Sequence, residues 1–90
     1  MLLISHRGNI SGPLPAMENS PDYVMKALKS GYNVEIDVWY VGKKWYLGHD
    51  APQYEVASSY LNNESLWCHA KNIDALTEML LAGIHCFWHQ

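Results

Sequence analysis

The sequence predicts an α/β fold, with parallel strands, helices packed outside them and a β-hairpin inserted between two of the strands. Three observations carry that expectation. Short apolar runs recur at residues 2–5, 33–38, 65–70 and 84–88, and two segments with helix start and stop signals separate the first pair and the last pair. The resulting order, β-α-β-hairpin-β-α-β, is that of parallel strands with helices on the outside. Hydrophobic residues make up 49% of the 90-residue chain, which suits a single folded domain over residues 1–90.

Each element has a local reason. Residues 2–5 read as a short buried strand, and residues 6–20 as a loop rich in Gly, Pro, Ser and Asn. Ser20-Pro21 offers an N-cap hydroxyl followed by proline in the first helical turn. The helix it opens runs to about Ser30, with Tyr23, Ala27 and Leu28 on one face, and Gly31 closes it. Residues 33–38 form the second strand. Residues 39–47 read as the hairpin, turning at Gly42-Lys43 in a type II′ geometry. Residues 53–63 are ambiguous, with helical turns favoured around 55–60.

Residues 65–70 form a third core strand. Asn72 or Asp74 opens a second helix that runs through Leu81, with Ile73, Leu76, Met79 and Leu80 as its inner face. Gly83 closes it, and residues 84–88 form the fourth strand. That run ends without a turn signal, and a lone four-stranded parallel sheet leaves its edges and one face bare. The expectation is therefore the first half of a larger domain, or a homo-oligomer in which two copies pair their open edges.

Charge and apolar content exclude several functions. The formal net charge is −3, from six basic and nine acidic side chains. Arg7 and the lysines are scattered, which argues against a nucleic-acid surface. No run approaches the ~20 apolar residues that a membrane span needs, and the first residues are too short for a signal-peptide core. A soluble, cytoplasmic protein is expected, with Cys68 and Cys86 as buried thiols rather than a disulfide.

The chemistry lies in four short pieces: His6-Arg7-Gly8, Glu18-Asn19, Glu35-Ile36-Asp37 and His49-Asp50. Loops after parallel strands converge on one rim, where sites form. Glu35 and Asp37 are two apart in a strand and share a face, as do His69 and Lys71. Two carboxylates pointing together need a positive neighbour, which is either a cation or a basic side chain. With Glu18 nearby they offer oxygen ligands suited to Mg²⁺ or Ca²⁺, which would also screen an incoming phosphate diester. His6 and His49 can give or take a proton near neutral pH. Arg7 presents a planar charged fork for phosphate oxygens, and Lys71 a second positive charge.

Plainer readings stand beside these. Glu35 and Asp37 can pair internally with Arg7 or Lys71, and Glu18 can serve as a helix-entry carboxylate. His69 suits a metal ligand or a hydrogen-bonded core histidine equally. His85 and His89 read as structural, and Trp39, Tyr40, Trp45 and Tyr46 as hairpin packing.

Taken as an ordered set, His6-Arg7-Gly8, Glu18-Asn19-Ser20, Glu35-Ile36-Asp37 and Gly48-His49-Asp50 resemble the motifs of the glycerophosphodiester phosphodiesterase family. The resemblance covers nearly the first two thirds of the chain. It implies the first half of a (β/α)₈ TIM-type barrel related to phosphatidylinositol phospholipase C. It also implies metal-dependent hydrolysis of a small-molecule glycerophosphodiester to an alcohol and glycerol 3-phosphate. In that scheme His6 and His49 are the acid–base pair, Arg7 binds phosphate, and Glu35 and Asp37 ligate the metal beside Glu18.

The chain departs from the family where a Glu-x-Lys is usual. Here His69-Ala70-Lys71 stands in its place, which shifts the metal preference from Ca²⁺ toward Mg²⁺, Mn²⁺ or Zn²⁺ with His69 as a ligand. Two other functions follow from the same motifs. One is a catalytically silent module that binds a phosphorylated ligand, and the other is a lyase that stops at a cyclic phosphate.

Overall fold

The computed structural model describes residues 4–10 and 16–88; Leu2, Leu3 and His89 lie outside the described residues. The strands are β1 (Ile4–His6), β2 (Asn33–Val41), β3 (Lys44–Leu47), β4 (Tyr54–Val56), β5 (Leu66–Ala70) and β6 (Cys86–Trp88). The helices are α1 (Pro21–Lys29), between β1 and β2, and α2 (Ile73–Leu81), between β5 and β6. They form one six-stranded sheet in the order β4-β3-β2-β5-β6, with β1 also paired to β2.

This sheet is mixed, and it corrects the expected half-barrel of parallel strands alternating with helices. β1, β2, β5 and β6 are parallel neighbours, whereas β3 runs antiparallel to β2 and β4 antiparallel to β3. The physical reason lies in β2, which does not stop at Val38 but continues through the aromatic pair Trp39-Tyr40 to Val41. Gly42 and Lys43 both take positive φ, 58° and 63°. That is a type I′ turn rather than type II′, and its twist folds β3 straight back onto β2. Where βα alternation needs an α-helix, the crossover from β2 to β5 holds two strands and the single 3₁₀ turn Ser58–Leu61.

The helix signals are borne out at most positions. α1 follows Ser20 with proline in its first turn, although the Ser20 side chain makes no capping bond. Asn72 caps α2 by accepting from the Ala75 N–H at 2.9 Å. Both helices pack one face of the sheet, on Val34, Ile36 and Val38 of β2 and Leu66, Cys68 and Ala70 of β5. α1 contributes Val24 and Ala27, and α2 contributes Ala75 and Met79. The inner face of α2 is thus rotated from the expected one, leaving Ile73 and Leu80 exposed. Cys68 is buried and Cys86 half-buried, both as free thiols, and burial pushes Cys68 up to about 12. No helix among the described residues is long and apolar enough to cross a membrane.

One edge of β2 positions everything that follows. β1 pairs with Asn33, Val34 and Glu35, and β3 pairs with Val38 to Val41. β5 holds the opposite edge at residues 34–38. A gap in the ladder therefore opens at Ile36 and Asp37, where β1 has ended and β3 has not begun. The loops leaving β1 and β3 both emerge there. Gly48 is fixed in that gap, donating its N–H to the Asp37 carbonyl at 3.1 Å and accepting from the Trp39 indole at 2.7 Å.

A methyl group on Gly48 would lie 1.9 Å from the Ala51 carbonyl oxygen. Gly48→Ala must therefore displace the loop that carries His49, at an expected cost of about 1–3 kcal/mol. A lower urea midpoint with an unchanged slope is the result that checks this.

Candidate active site

Asp37 lies at the gap with its side chain 2% exposed, and the motif pieces meet on its carboxylate. Arg7 Nε donates to Oδ2 at 2.9 Å, and Asn19 Nδ2 donates to the same oxygen at 2.9 Å. His69 Nδ1 lies 3.2 Å from Oδ1, and His49 Nδ1 lies 3.5 Å from Oδ2. His69 stands opposite Asp37 in the β2–β5 register and stacks on Phe87, ring centroids 5.0 Å apart. His49 arrives on the loop after β3, latched by Gly48.

Arg7 reaches Asp37 because of an unusual backbone. It takes positive φ, 58°, directly before Gly8 at 91°, so the chain turns sharply as it leaves β1. Glycine suits position 8 for a second reason, since the Tyr23 ring packs against it closely enough that a Cβ would meet Cδ2 at 2.8 Å. The Arg7 N–H donates to the Glu35 carbonyl at 2.6 Å, continuing the β1–β2 ladder for one more bond.

Glu18 closes the outer side. Its Oε2 accepts from Asn9 Nδ2 at 2.9 Å, while its Oε1 lies 3.5 Å from Arg7 Nη1. Tyr23 in turn donates its hydroxyl hydrogen to Asn9 Oδ1 at 3.0 Å, tying this loop to α1. Glu35, two residues before Asp37 on the same face, holds His6, with Nδ1 3.6 Å from Oε2. Thus Glu35 and Asp37 stand beside the two histidines the sequence singled out, although neither carboxylate ends its strand. Lys71 follows β5 directly and is anchored by its backbone N–H on the Val38 carbonyl at 2.8 Å.

The balance of charge at Asp37 is met by a basic side chain. Burial alone pushes its carboxyl up. The Asn19 hydrogen bond, the Arg7 charge and hydrogen bond, and the His69 hydrogen bond outweigh that, and Asp37 titrates below its ordinary value. The same contacts decide the metal fit. Asp37 Oδ2 and both Glu18 oxygens face N–H donors, and among the described residues no group of three or more His, Cys, Asp or Glu side chains is arranged to hold a metal ion. Glu18, Glu35, Asp37 and His69 therefore do not form a metal cage in this arrangement.

Asn19 is the member of this cluster that the sequence motifs contain without assigning it a role. It is wholly buried, with positive φ of 64°, a backbone shape that Asn tolerates better than most residues. The clue was its place in the loop before α1, beside Glu18. Asn9 and Tyr23 carried no comparable signal.

No family model, curated protein or solved structure matches this chain.

The lowered Asp37 value carries a sign. The carboxylate contributes stability fully above the unfolded value of ~3.9, and loses it as pH falls through the lower folded value. Urea unfolding of the wild type should therefore weaken as pH drops below about 4. Asp37→Asn should lack that component of the slope. At neutral pH the same substitution removes the nearer and more buried of Arg7's two counter-charges, leaving only Glu18, and should cost about 2–4 kcal/mol.

Proposed function

We propose that this chain is a phosphoric diester hydrolase acting on small glycerophosphodiesters. One observation supports the reading above the rest: Arg7, Asn19, His49 and His69, from separate loops and strands, meet on the single buried carboxylate of Asp37. The His6–Glu35 pair stands next along the same strand face. The chemistry of that set suits a phosphate ester better than a neutral ligand.

Arg7 Nε is held by Asp37, while Nη2 has no partner among the described residues. The Arg7 side chain as a whole is 30% exposed, so part of it meets solvent. Of the imidazoles at the site, His6 and His49 are more accessible than His69, with side chains 71% and 47% exposed against 18%. In the proposed reaction the neighbouring glycerol hydroxyl attacks phosphorus and passes its proton to one imidazole. The other imidazole protonates the departing alkoxide as its P–O bond breaks. Water then opens the cyclic phosphate, with the two imidazoles exchanging roles. Arg7 holds the non-bridging oxygens throughout, and Lys71 adds charge at the rim.

No step here runs through a metal. A divalent ion, Mg²⁺ or Ca²⁺ by preference, enters the proposal only as one that displaces the Arg7 and Asn19 donors from Asp37, with Glu35 and Asp37 as the residues to test. Free thiols at Cys68 and Cys86 suit a reducing, cytoplasmic setting.

A second reading is favoured by a specific observation. Asp37 is already neutralised by Arg7, as in a site that binds a phosphorylated ligand without turning it over. The two readings separate cleanly. For a hydrolase, His6→Ala or His49→Ala should each lower turnover of glycerophosphodiesters by ~10²–10⁴-fold with the fold intact by circular dichroism. Calorimetry should also find a divalent-ion site that is lost in Glu35→Gln. A silent binder takes up phosphate monoesters, shows no turnover and has no such site. Phosphorus NMR that finds only cyclic phosphate marks a lyase instead.

A further inference from the structure

We propose that Asn19 is the positioning residue for the Arg7 anion fork. This rests on the reading that Arg7 receives a phosphate oxygen, and it adds the residue that makes Arg7 able to do so.

Asn19 brackets Arg7 at both ends. Its backbone N–H donates to the Arg7 carbonyl at 3.0 Å, fixing the left-handed turn at the end of β1. Its side-chain Nδ2 donates to Asp37 Oδ2, the same oxygen that receives Arg7 Nε. Its Oδ1 accepts the Asp37 N–H at 2.9 Å. Both arms of one amide are thus spent on one residue, within the gap that β1 and β3 leave beside Asp37. There the Asn19 side chain supplies the hydrogen bond that a neighbouring strand would otherwise make.

The consequence for Arg7 is geometric. A carboxylate free to rotate can take a guanidinium end-on through both Nη atoms, which spends the whole fork on the internal pair. Asn19 pins the carboxylate plane, so that Asp37 takes Arg7 side-on through Nε. The end of the guanidinium between Nη1 and Nη2 is then left clear of Asp37, with Glu18 Oε1 3.5 Å from Nη1. A neutral amide suits this. It offers, on two separate atoms, a donor to the carboxylate and an acceptor to the backbone N–H without adding charge beside the anion site.

The test uses the intact protein, inorganic phosphate and the Arg7 ¹⁵Nε–H resonance. Asn19→Gly keeps the positive-φ backbone that glycine adopts freely and removes only the side chain. The wild type should show a slowly exchanging, shifted Arg7 Nε–H, and phosphate should perturb the Nη signals. In Asn19→Gly the Nε–H should lose its protection, and phosphate binding by calorimetry should weaken about tenfold, the loss of one charge-assisted bond. Should Asn19→Gly not fold, Asn19→Asp takes its place, since it keeps the Oδ1 acceptor and lacks the donor. Loss of Nε–H protection is the readout there, since the added carboxylate by itself repels phosphate.

Protection within twofold of wild type, in whichever variant folds, would overturn the positioning role. A wild type that binds no phosphate overturns the anion role of Arg7 itself, and that failure is distinguishable because the Nε–H readout needs no ligand.

Discussion

The structure turns on a carboxylate taken out of water. Asp37 is all but inaccessible, and an isolated charge in that position costs several kcal/mol, so partners must reach it or the strand cannot stay where it is. Arg7 supplies the opposite charge and Asn19 the neutral donor. Both do so from left-handed backbone, which no ordinary loop residue adopts without compensation. The sharp exit from β1, the loop into α1 and the latch on Gly48 are therefore parts of one solution to one electrostatic problem. That the solution also gathers imidazoles around a charged fork is what gives the site its chemistry.

Much of this was legible in the sequence because it depends on local rules. Alternation put Glu35 and Asp37 on one face and Val34, Ile36 and Val38 on the other, and the apolar core follows that pattern, with Asp37 buried separately on the opposite face. Ser20-Pro21 and Asn72 marked helix starts because capping and proline chemistry act within one turn. The partner of Asp37 was legible only as a pair of alternatives, a cation or a basic side chain. Choosing between them required the φ of Arg7, which no spacing encodes.

The misreadings share a cause, which is that they depend on tertiary neighbours. Trp39 and Tyr40 looked like the start of a separate hairpin. They continue β2 because its edge beyond β1 is empty, and β3 fills it. The sequence favours helical turns around residues 55–60, and the 3₁₀ turn Ser58–Leu61 keeps part of that. Tyr54–Val56 instead adds to β3 as an outer strand, since pairing with an open edge outweighs a weak helix preference. Leu80 looked like core but faces outward, because small Ala75 and long Met79 bring α2 onto the sheet at a different rotation. These are the choices that turned an expected parallel alternation into a mixed sheet.

The single long β2 strand has a consequence for how this protein can go wrong. It borders β1, β3 and β5, and its two faces are chemically opposite. A slip of one residue would swap the aliphatic trio for the two acids, emptying the core and scattering the site in the same event. Near-native impostors, well packed but with their charges dispersed, are thereby denied a foothold: a molecule that has buried its valines has, by the same stroke, assembled its charges.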